Sequence, residues 1–583
     1  MKYVIAIGLT FCLLFSATLM AQDNKGFQLH PNQYERGVDV DAKMFISDWR
    51  DSIYRIKLGN LVVRDIYTPN LSGDPLKPSG KGEVLEVYKE FAQCFLAPNT
   101  VTTPTTLEGE QAVFYITSGK GEISAGGMTY SVGIGSAALV PAGLEFTLRS
   151  CVNEELSMLM VIEPIVGDFT PRKDLFVRHG DNTYFSSGHG PYSHWSNYSG
   201  VPLIRGNDGL CVMDDLHEVT VMPHHISRPH ASLGLGTDVC WYCVEGDWTL
   251  LGKQLWHFVP GMAFKNPSDG RFYHSNINTT DEPIKFLHIR SKSPKEVYGK
   301  YDVPQEQDEF YGLNGRPYNP EVDVNTDMFI DSWKFNSPRT EHGAIRVHDI
   351  LTQNTSADPL KPEKKGAVLN VFSEYAWGVL EPGLSTTKET LKGEQKIFYF
   401  TGGEGEINGG SETVQLNGYT GVLIPEGLSF QIRNIGTESL TMLIVGEKTY
   451  KGFKPRKDML VVKEGEIPLR GSYSHWNNIN KPIFDANSGM ARLTGLNAVW
   501  LSPYTMAQLH ASSGLGTDVL WLGLEGDIWS VLGKKIYHLE RGMAFKNPSD
   551  GKVYHGNINT TEHNIKLLWV RSISPEQAEE LGK

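Results

Sequence analysis

The chain has 583 residues and a formal charge of −13, with no basic run to offset it. A phosphate backbone would be repelled from most of such a surface, which excludes nucleic acid as a partner. One hydrophobic core does not extend over this length, and 60 glycines with 31 prolines describe short strands joined by turns, so the expected class is all-β in several domains.

The first residues read as a secretory leader. Lys2 precedes an apolar run from Tyr3 to Phe15, and small residues follow as far as Ala21, where cleavage is expected. The run is shorter than the ~20 residues that span a bilayer, and no later stretch reaches that length. The expectation is a periplasmic or secreted protein without a membrane span. Five cysteines then remain, Cys94, Cys151, Cys211, Cys240 and Cys243, all in the first half. Cys240 and Cys243 stand three apart on an expected strand, so they project to opposite faces and read as core fillers.

From residue 37 onward the chain repeats itself. GVDVDAKMFISDW (37–49) returns as EVDVNTDMFIDSW (321–333), and the stretch opening HASLGLGTDVCWYC at His230 returns as HASSGLGTDVLWLG at His510. His230 and His510 stand 280 residues apart and His274 and His555 stand 281 apart, so the repeating unit is a whole domain pair rather than a solenoid element. A tyrosine-rich linker begins near residue 291.

Each repeat carries two glycine- and proline-punctuated strand patterns. The earlier has Gly135, five residues, Pro141 and Gly143, then Phe146; the second copy ends on Phe430. The later has Gly261, Pro267, Gly270, His274 and Asn278, copied as Gly542, Pro548, Gly551, His555 and Asn559, and is preceded by His230, Ser232 and Asp238 or by His510, Ser512 and Asp518. These segments resemble the two signature motifs of cupins, whose barrels are jelly rolls with a divalent metal held inside by histidines and a glutamate.

The resemblance covers nearly all of the chain after the leader. It implies four jelly-roll barrels in two tandem bicupin repeats. The expected layout is a leader at 1–21, an arm at 22–80, barrels at 81–165 and 166–290, a linker and second arm at 291–365, and barrels at 366–448 and 449–575. Phe146 and Phe430 stand where the motif has a metal-binding histidine, and Thr106, Glu108, Thr390 and Lys392 stand where the other motif has two. The earlier barrels are therefore expected to lack metal.

The candidate metal ligands are His230, Asp238 and His274, with His510, Asp518 and His555. Two imidazoles and a carboxylate suit a divalent Fe, Mn, Ni or Zn ion with positions open to substrate. An alternative places each aspartate at the strand mouth, accepting backbone hydrogen bonds from the GLGTD turn, with each histidine a barrel filler. PYSHWSN (191–197) and GSYSHWNN (471–478) supply His194, Trp195, His475 and Trp476, which could stack on a sugar or lock a hinge. Tyr242, on the strand face of Asp238, joins them as a candidate substrate contact.

Two functions stay open. One is an exported metal-dependent enzyme, isomerase- or lyase-like, acting on a small sugar- or uronate-derived substrate in polysaccharide breakdown. The other is a non-catalytic carbohydrate-binding or scaffold protein of the cell envelope. In either case the expected partner is a small molecule or oligosaccharide, and exposed jelly-roll sheets could pair copies into a homo-oligomer.

Overall fold

The computed structural model describes residues 40–180, 185–186, 197–200, 202–270, 272–301, 324–471 and 477–582. The segment 1–21, expected as a leader, and the pairs His194–Trp195 and His475–Trp476 lie outside these residues. The chain divides into two compact units, one of which is Leu29–Pro317 while the other contains Tyr318–Lys583. Each unit is one repeat. Among the described residues no helix is long and apolar enough to cross a membrane.

In the first repeat, alternation of apolar side chains builds two sheets around each core. One sheet runs in the order Phe176–His179, Ser136–Val140, Glu110–Ser118, Leu156–Pro164, Glu90–Leu96, Leu61–Pro69 and Tyr54–Lys57. The strands Phe146–Ser150, Lys120–Ala125 and Met128–Gly133 form a second sheet. Val63, Ala92, Phe114, Ile123, Leu148 and Met160, drawn from both sheets, meet in one buried cluster. Phe146 lies in it, its ring 6.1 Å from that of Phe114, so the interior of this barrel is apolar at the position where the resemblance places a histidine.

The second barrel has a sheet in the order Ile46–Asp48, Met262–Asn266, Val239–Glu245, Ile284–Ser291, Met213–Val221, Asn197–Gly200 and Phe185–Ser186. Its other sheet is built on Tyr273–Asn278, which pairs with His225–Ile226, His230–Ala231 and Trp248–Leu251. The segment expected as an arm, 22–80, pairs with strands of both barrels: Ile46–Asp48 pairs with Met262–Asn266, and Leu61–Pro69 pairs with Glu90–Leu96. Strand edges left bare invite pairing, and here the arm covers them.

The large sheets of the two barrels carry apolar side chains on their outer faces as well. Tyr67, Phe91, Val113 and Val161 of the first barrel join Leu216, Cys240, Tyr242 and Leu287 of the second in one buried cluster. Two carboxylates fasten this contact in opposite directions. Glu163 accepts the backbone N–H groups of Cys211, Val212 and Met213 at 3.0, 2.8 and 2.7 Å, and Asp238 accepts those of Glu86, Val87 and Tyr88 at 2.9, 2.8 and 2.8 Å.

The second repeat has the same plan. Glu447 accepts from Ala491, Arg492 and Leu493, and Asp518 accepts from Asn370, Val371 and Phe372. Among the described residues no disulfide contributes to this framework. The five described cysteines are free thiols, with Cys240 and Cys243 buried as core residues.

Candidate metal centre

The strand Met213–Val221 is hydrogen-bonded to Ile284–Ser291, which is hydrogen-bonded to Val239–Glu245. Register places His217, His288 and Trp241 side by side in one row across these strands. Asp215 is two residues before His217, so the pleat points its side chain to the same face. Trp241 fixes that face as the barrel interior, because its ring stacks on Phe264 at 5.7 Å and reaches His274 of the opposing sheet at 5.9 Å.

The three polar side chains converge. His217 Nδ1 lies 3.1 Å and His288 Nδ1 lies 3.4 Å from Asp215 Oδ1, and the ligand atoms of the three residues all fall within 4.8 Å of one another. Among the described residues this is the group of three or more His, Cys, Asp or Glu side chains that meets so closely. Such spacings suit ligands sharing one ion at bonds of about 2.0–2.2 Å. Both imidazoles are nearly fully buried, at 3% and 4% exposed, while the Asp215 side chain keeps 30% of its surface at the rim.

Electrostatics agrees with this donor set. Burial pushes His288 down to about 4, which leaves its ring neutral and its lone pair available near neutral pH. Burial alone would raise the Asp215 carboxyl, but hydrogen bonds to His217 and His288 outweigh it and hold the group well below the usual carboxylate range. Two imidazoles and one ionised carboxylate are a donor set that fits a divalent transition ion.

The expected ligands are arranged differently. His230 and His274 do come together, with ring centroids 4.2 Å apart inside the barrel. Asp238 does not join them. It shares strand parity with Cys240 and Tyr242, which face the neighbouring barrel, whereas Trp241 and the histidines face inward. Its carboxylate is fully buried on the three N–H groups of residues 86–88 and lies 3.3 Å from Lys265 Nζ. Backbone donors do hold the aspartate, but they come from the other barrel and not from the GLGTD turn.

Asp518 repeats this with Lys546 at 2.8 Å, while the rings of His510 and His555 lie 4.2 Å apart, tilted by 54°. Tyr242 is likewise turned away from the interior. Its hydroxyl donates to Gln93 Oε1 at 3.0 Å across the contact between the barrels, and the residue is 5% exposed. It is a packing residue of that contact, so the expectation of a substrate contact is corrected.

His230 and His274 have defined polar neighbours. His230 Nδ1 lies 2.9 Å from the Arg228 carbonyl, and Asn266 Nδ2 donates to His274 Nε2 at 3.1 Å and to Ser232 Oγ at 3.2 Å. The buried indole N–H of Trp241 has no acceptor among the described residues, nor has that of Trp521.

The second repeat keeps the row but not its chemistry. In the same register Gly495 stands for Asp215, Asn497 for His217 and Trp569 for His288. A Cβ placed on Gly495 would lie 2.8 Å from the Trp569 ring, so the indole occupies the space that a side chain at 495 would need. Arg228 is also replaced, by Gln508. The site residues missed from sequence are therefore those in which the copies differ, and comparing DDLH (214–217) with TGLN (494–497) would have exposed them.

No protein-family model and no curated protein matches this chain. Among solved structures it is similar to an oxalate decarboxylase–formate complex from Lactobacillus farciminis, with 10% identity over 45% of this chain and 99% of that one and a TM-score of 0.33. It is also similar to a putative glyoxylate-induced protein from Pseudomonas aeruginosa, with 13% identity over 43% and 85% and a TM-score of 0.32. A 7S globulin from Momordica charantia aligns at 13% identity over 42% and 84%, with a TM-score of 0.32. Scores this low carry no weight for chemistry. The all-β class and the paired-sheet barrels rest on the strand pairing itself, which is the architecture that the cupin resemblance implies.

Proposed function

We propose that this is an exported cupin-like protein that binds a divalent Fe, Mn, Ni or Zn ion through Asp215, His217 and His288 and acts on a small sugar- or uronate-derived substrate. The observation that carries the reading is the convergence of two buried imidazoles and a carboxylate on the inner wall of a barrel, in one repeat and not in the other. Export rests on the charged and apolar leader of the sequence, and the substrate class on that destination and on the aromatic, imidazole-rich interior.

A bound ion would supply Lewis acidity toward a carbonyl or hydroxyl oxygen. The protein's own residues do the rest. Trp241, Phe264 and Phe286 form an apolar wall that excludes water from the row. Asp215 Oδ1 lies 3.1 Å from His217 Nδ1 and 3.4 Å from His288 Nδ1 and so would keep the two rings turned toward one point, and His274 and His230 present polar edges from the opposite sheet.

Elemental analysis of the purified full chain tests the reading. Wild type is expected to hold about one metal ion per chain, and His217→Ala and His288→Ala less than about a tenth of it, because each removes a ligand. His510→Ala and His555→Ala are expected to leave the content unchanged. Wild type with no more metal than His217→Ala and His288→Ala would overturn the assignment.

A further inference from the structure

The later barrel of the second repeat keeps a polar interior without the ligand set. Trp521, on the strand Val519–Glu525, stands opposite Phe545 of Met543–Asn547 on one side and Trp569 of Ile565–Ser572 on the other, and Trp569 stands opposite Asn497 of Leu493–Leu501. The rings of Trp521 and Phe545 lie 6.3 and 6.4 Å from that of His555 on the opposing sheet, so this row lines the inside of the barrel. Asn547 is two residues beyond Phe545 and projects to the same face.

Two of these groups are buried without partners. Asn547 is fully buried, and among the described residues neither its amide nitrogen nor its amide oxygen meets a hydrogen-bonding group, whichever way the amide is turned. The Trp521 indole N–H is likewise unmatched, in a residue 3% exposed. Buried polar atoms are costly to leave so. In the first repeat the same amide is engaged, since Asn266 Nδ2 donates to Ser232 Oγ at 3.2 Å and to His274 Nε2 at 3.1 Å. Ser512 and His555 stand at the corresponding positions, but Asn547 bonds to neither.

This barrel is also the more open of the two. His217 and His288 are nearly fully buried, whereas Asn497 and Trp569, which take their places, are partly exposed. On the facing sheet His230 and Ala231 are buried, whereas His510 and Ala511 are partly exposed. Solvent thus reaches both lips of the barrel, with an indole and an amide at one lip and the unmatched amide and indole N–H deeper inside. Trp569 fills the space of the first repeat's ligand row, and Gly495, Asn497 and Trp569 carry no charge where Asp215 and two imidazoles stood.

We propose that the later barrel of the second repeat binds a neutral sugar ring. Trp569 offers an apolar surface to the ring C–H groups, and Asn497 meets hydroxyls at the rim. Asn547 donates to one hydroxyl and accepts from its neighbour, and Trp521 donates to a further oxygen, so that each unmatched group gains a partner. A metal ion would find no anionic ligand in this row, and an apolar guest would leave the buried amide unpaired. The site belongs to the second repeat alone and stands without the ion of the first.

Calorimetry on the full chain tests the proposal, with D-glucose, D-galactose, D-mannose and D-xylose as neutral probes and D-glucuronate as a charged one. Wild type is expected to bind at least one neutral sugar, and His217→Ala to bind it equally, because the site lies in the other repeat. Asn547→Ala and Trp569→Ala are each expected to weaken that binding by about tenfold or more, the scale of a pair of hydrogen bonds or of one ring contact. Glucuronate is expected to bind at least about tenfold less tightly than the best neutral sugar, because its carboxylate would be desolvated without a partner. Trp569→Phe keeps an aromatic ring and should retain most of the affinity, while the change in tryptophan emission that the sugar produces in wild type should shrink. Binding of none of the four neutral sugars, loss of binding in His217→Ala, or wild-type affinity in Asn547→Ala or Trp569→Ala overturns the proposal. Glucuronate bound as tightly as the best neutral sugar overturns the ligand class. If an alanine variant does not fold, Trp569→Phe decides, and an emission change as large as that of wild type overturns the site.

Discussion

Asp238 shows how much of a residue's role is set by the direction of its strand. Both carboxylate oxygens are engaged by backbone N–H groups of the neighbouring barrel, with Lys265 3.3 Å away. Removing one partner of a buried charged pair leaves the other uncompensated and costs about 3–5 kcal/mol. Asp238→Ala is therefore expected to lower the denaturant-measured stability of the first repeat by about that much while the metal content stays at its wild-type value. A metal loss equal to that of His288→Ala would instead make Asp238 a ligand. His230 gives a second prediction at this scale. Burial pushes it down to about 3 in the folded chain, whereas the unfolded chain takes up its proton near 6.5. Its contribution to stability is thus complete above about pH 6.5 and is lost progressively as pH falls toward 3, with His510 shifted in the same direction. Melting temperatures recorded from pH 7.5 to pH 4 should fall, and His230→Gln should reduce the slope. A slope unchanged in that variant would show that the imidazole does not resist protonation.

Elements of the two repeats conserve one arrangement while exchanging the residues that make it. In the first repeat Tyr115 donates to Glu218 Oε1 at 2.7 Å, and Lys285 Nζ lies 3.7 Å from Glu218 Oε2. In the second, Tyr399 donates to Glu464 and Lys566 Nζ donates to it at 2.9 Å. Glu218 is on the strand Met213–Val221, and its counterpart by register is Ala498. Glu464 instead follows the strand Leu460–Lys463, in the place taken by Gly180 after Phe176–His179. A Cβ on Gly180 would lie 3.6 Å from Glu218 Oε1, so the two routes deliver a carboxylate to the same point. The position, and not the chain segment, is what the Tyr–Lys pair requires. Glu464→Gly should destabilise the second repeat by about 3–5 kcal/mol, as for other broken buried pairs. Adding Ala498→Glu to that variant should restore most of the loss in urea unfolding, and a double variant no more stable than the single one would refute the equivalence.

For the whole molecule, duplication has produced one repeat with a ligand set and one with a filled interior. Gly495, Asn497 and Trp569 occupy the row of Asp215, His217 and His288 on an otherwise matching framework. The combined variant Gly495→Asp, Asn497→His and Trp569→His removes the indole that fills the space and installs the three donors. Its metal content is expected to rise from about one ion to about two per chain, since two imidazoles and a carboxylate are the donors that such an ion takes. A content that stays at one would show that the row needs support beyond its three ligands.

The amino-acid sequence by itself determined the all-β class and the duplication, because strand alternation, turn residues and a repeat of some 280 positions are local or periodic signals. It also held the parity that sets Asp238 and Tyr242 apart from Trp241. The tertiary structure alone decided that residues 86–88 would receive Asp238, and that Asp215 and His217 would meet His288 more than seventy positions away. Those partners are brought together by the pairing of distant strands and the packing of one barrel on another, and the spacing along a strand does not record which strand lies beside it. Searching for residues that both copies retain selects packing, as with His274 and His555. The proposed ligands sit where the copies diverge, and only the register of the paired strands shows that those divergent residues share one row.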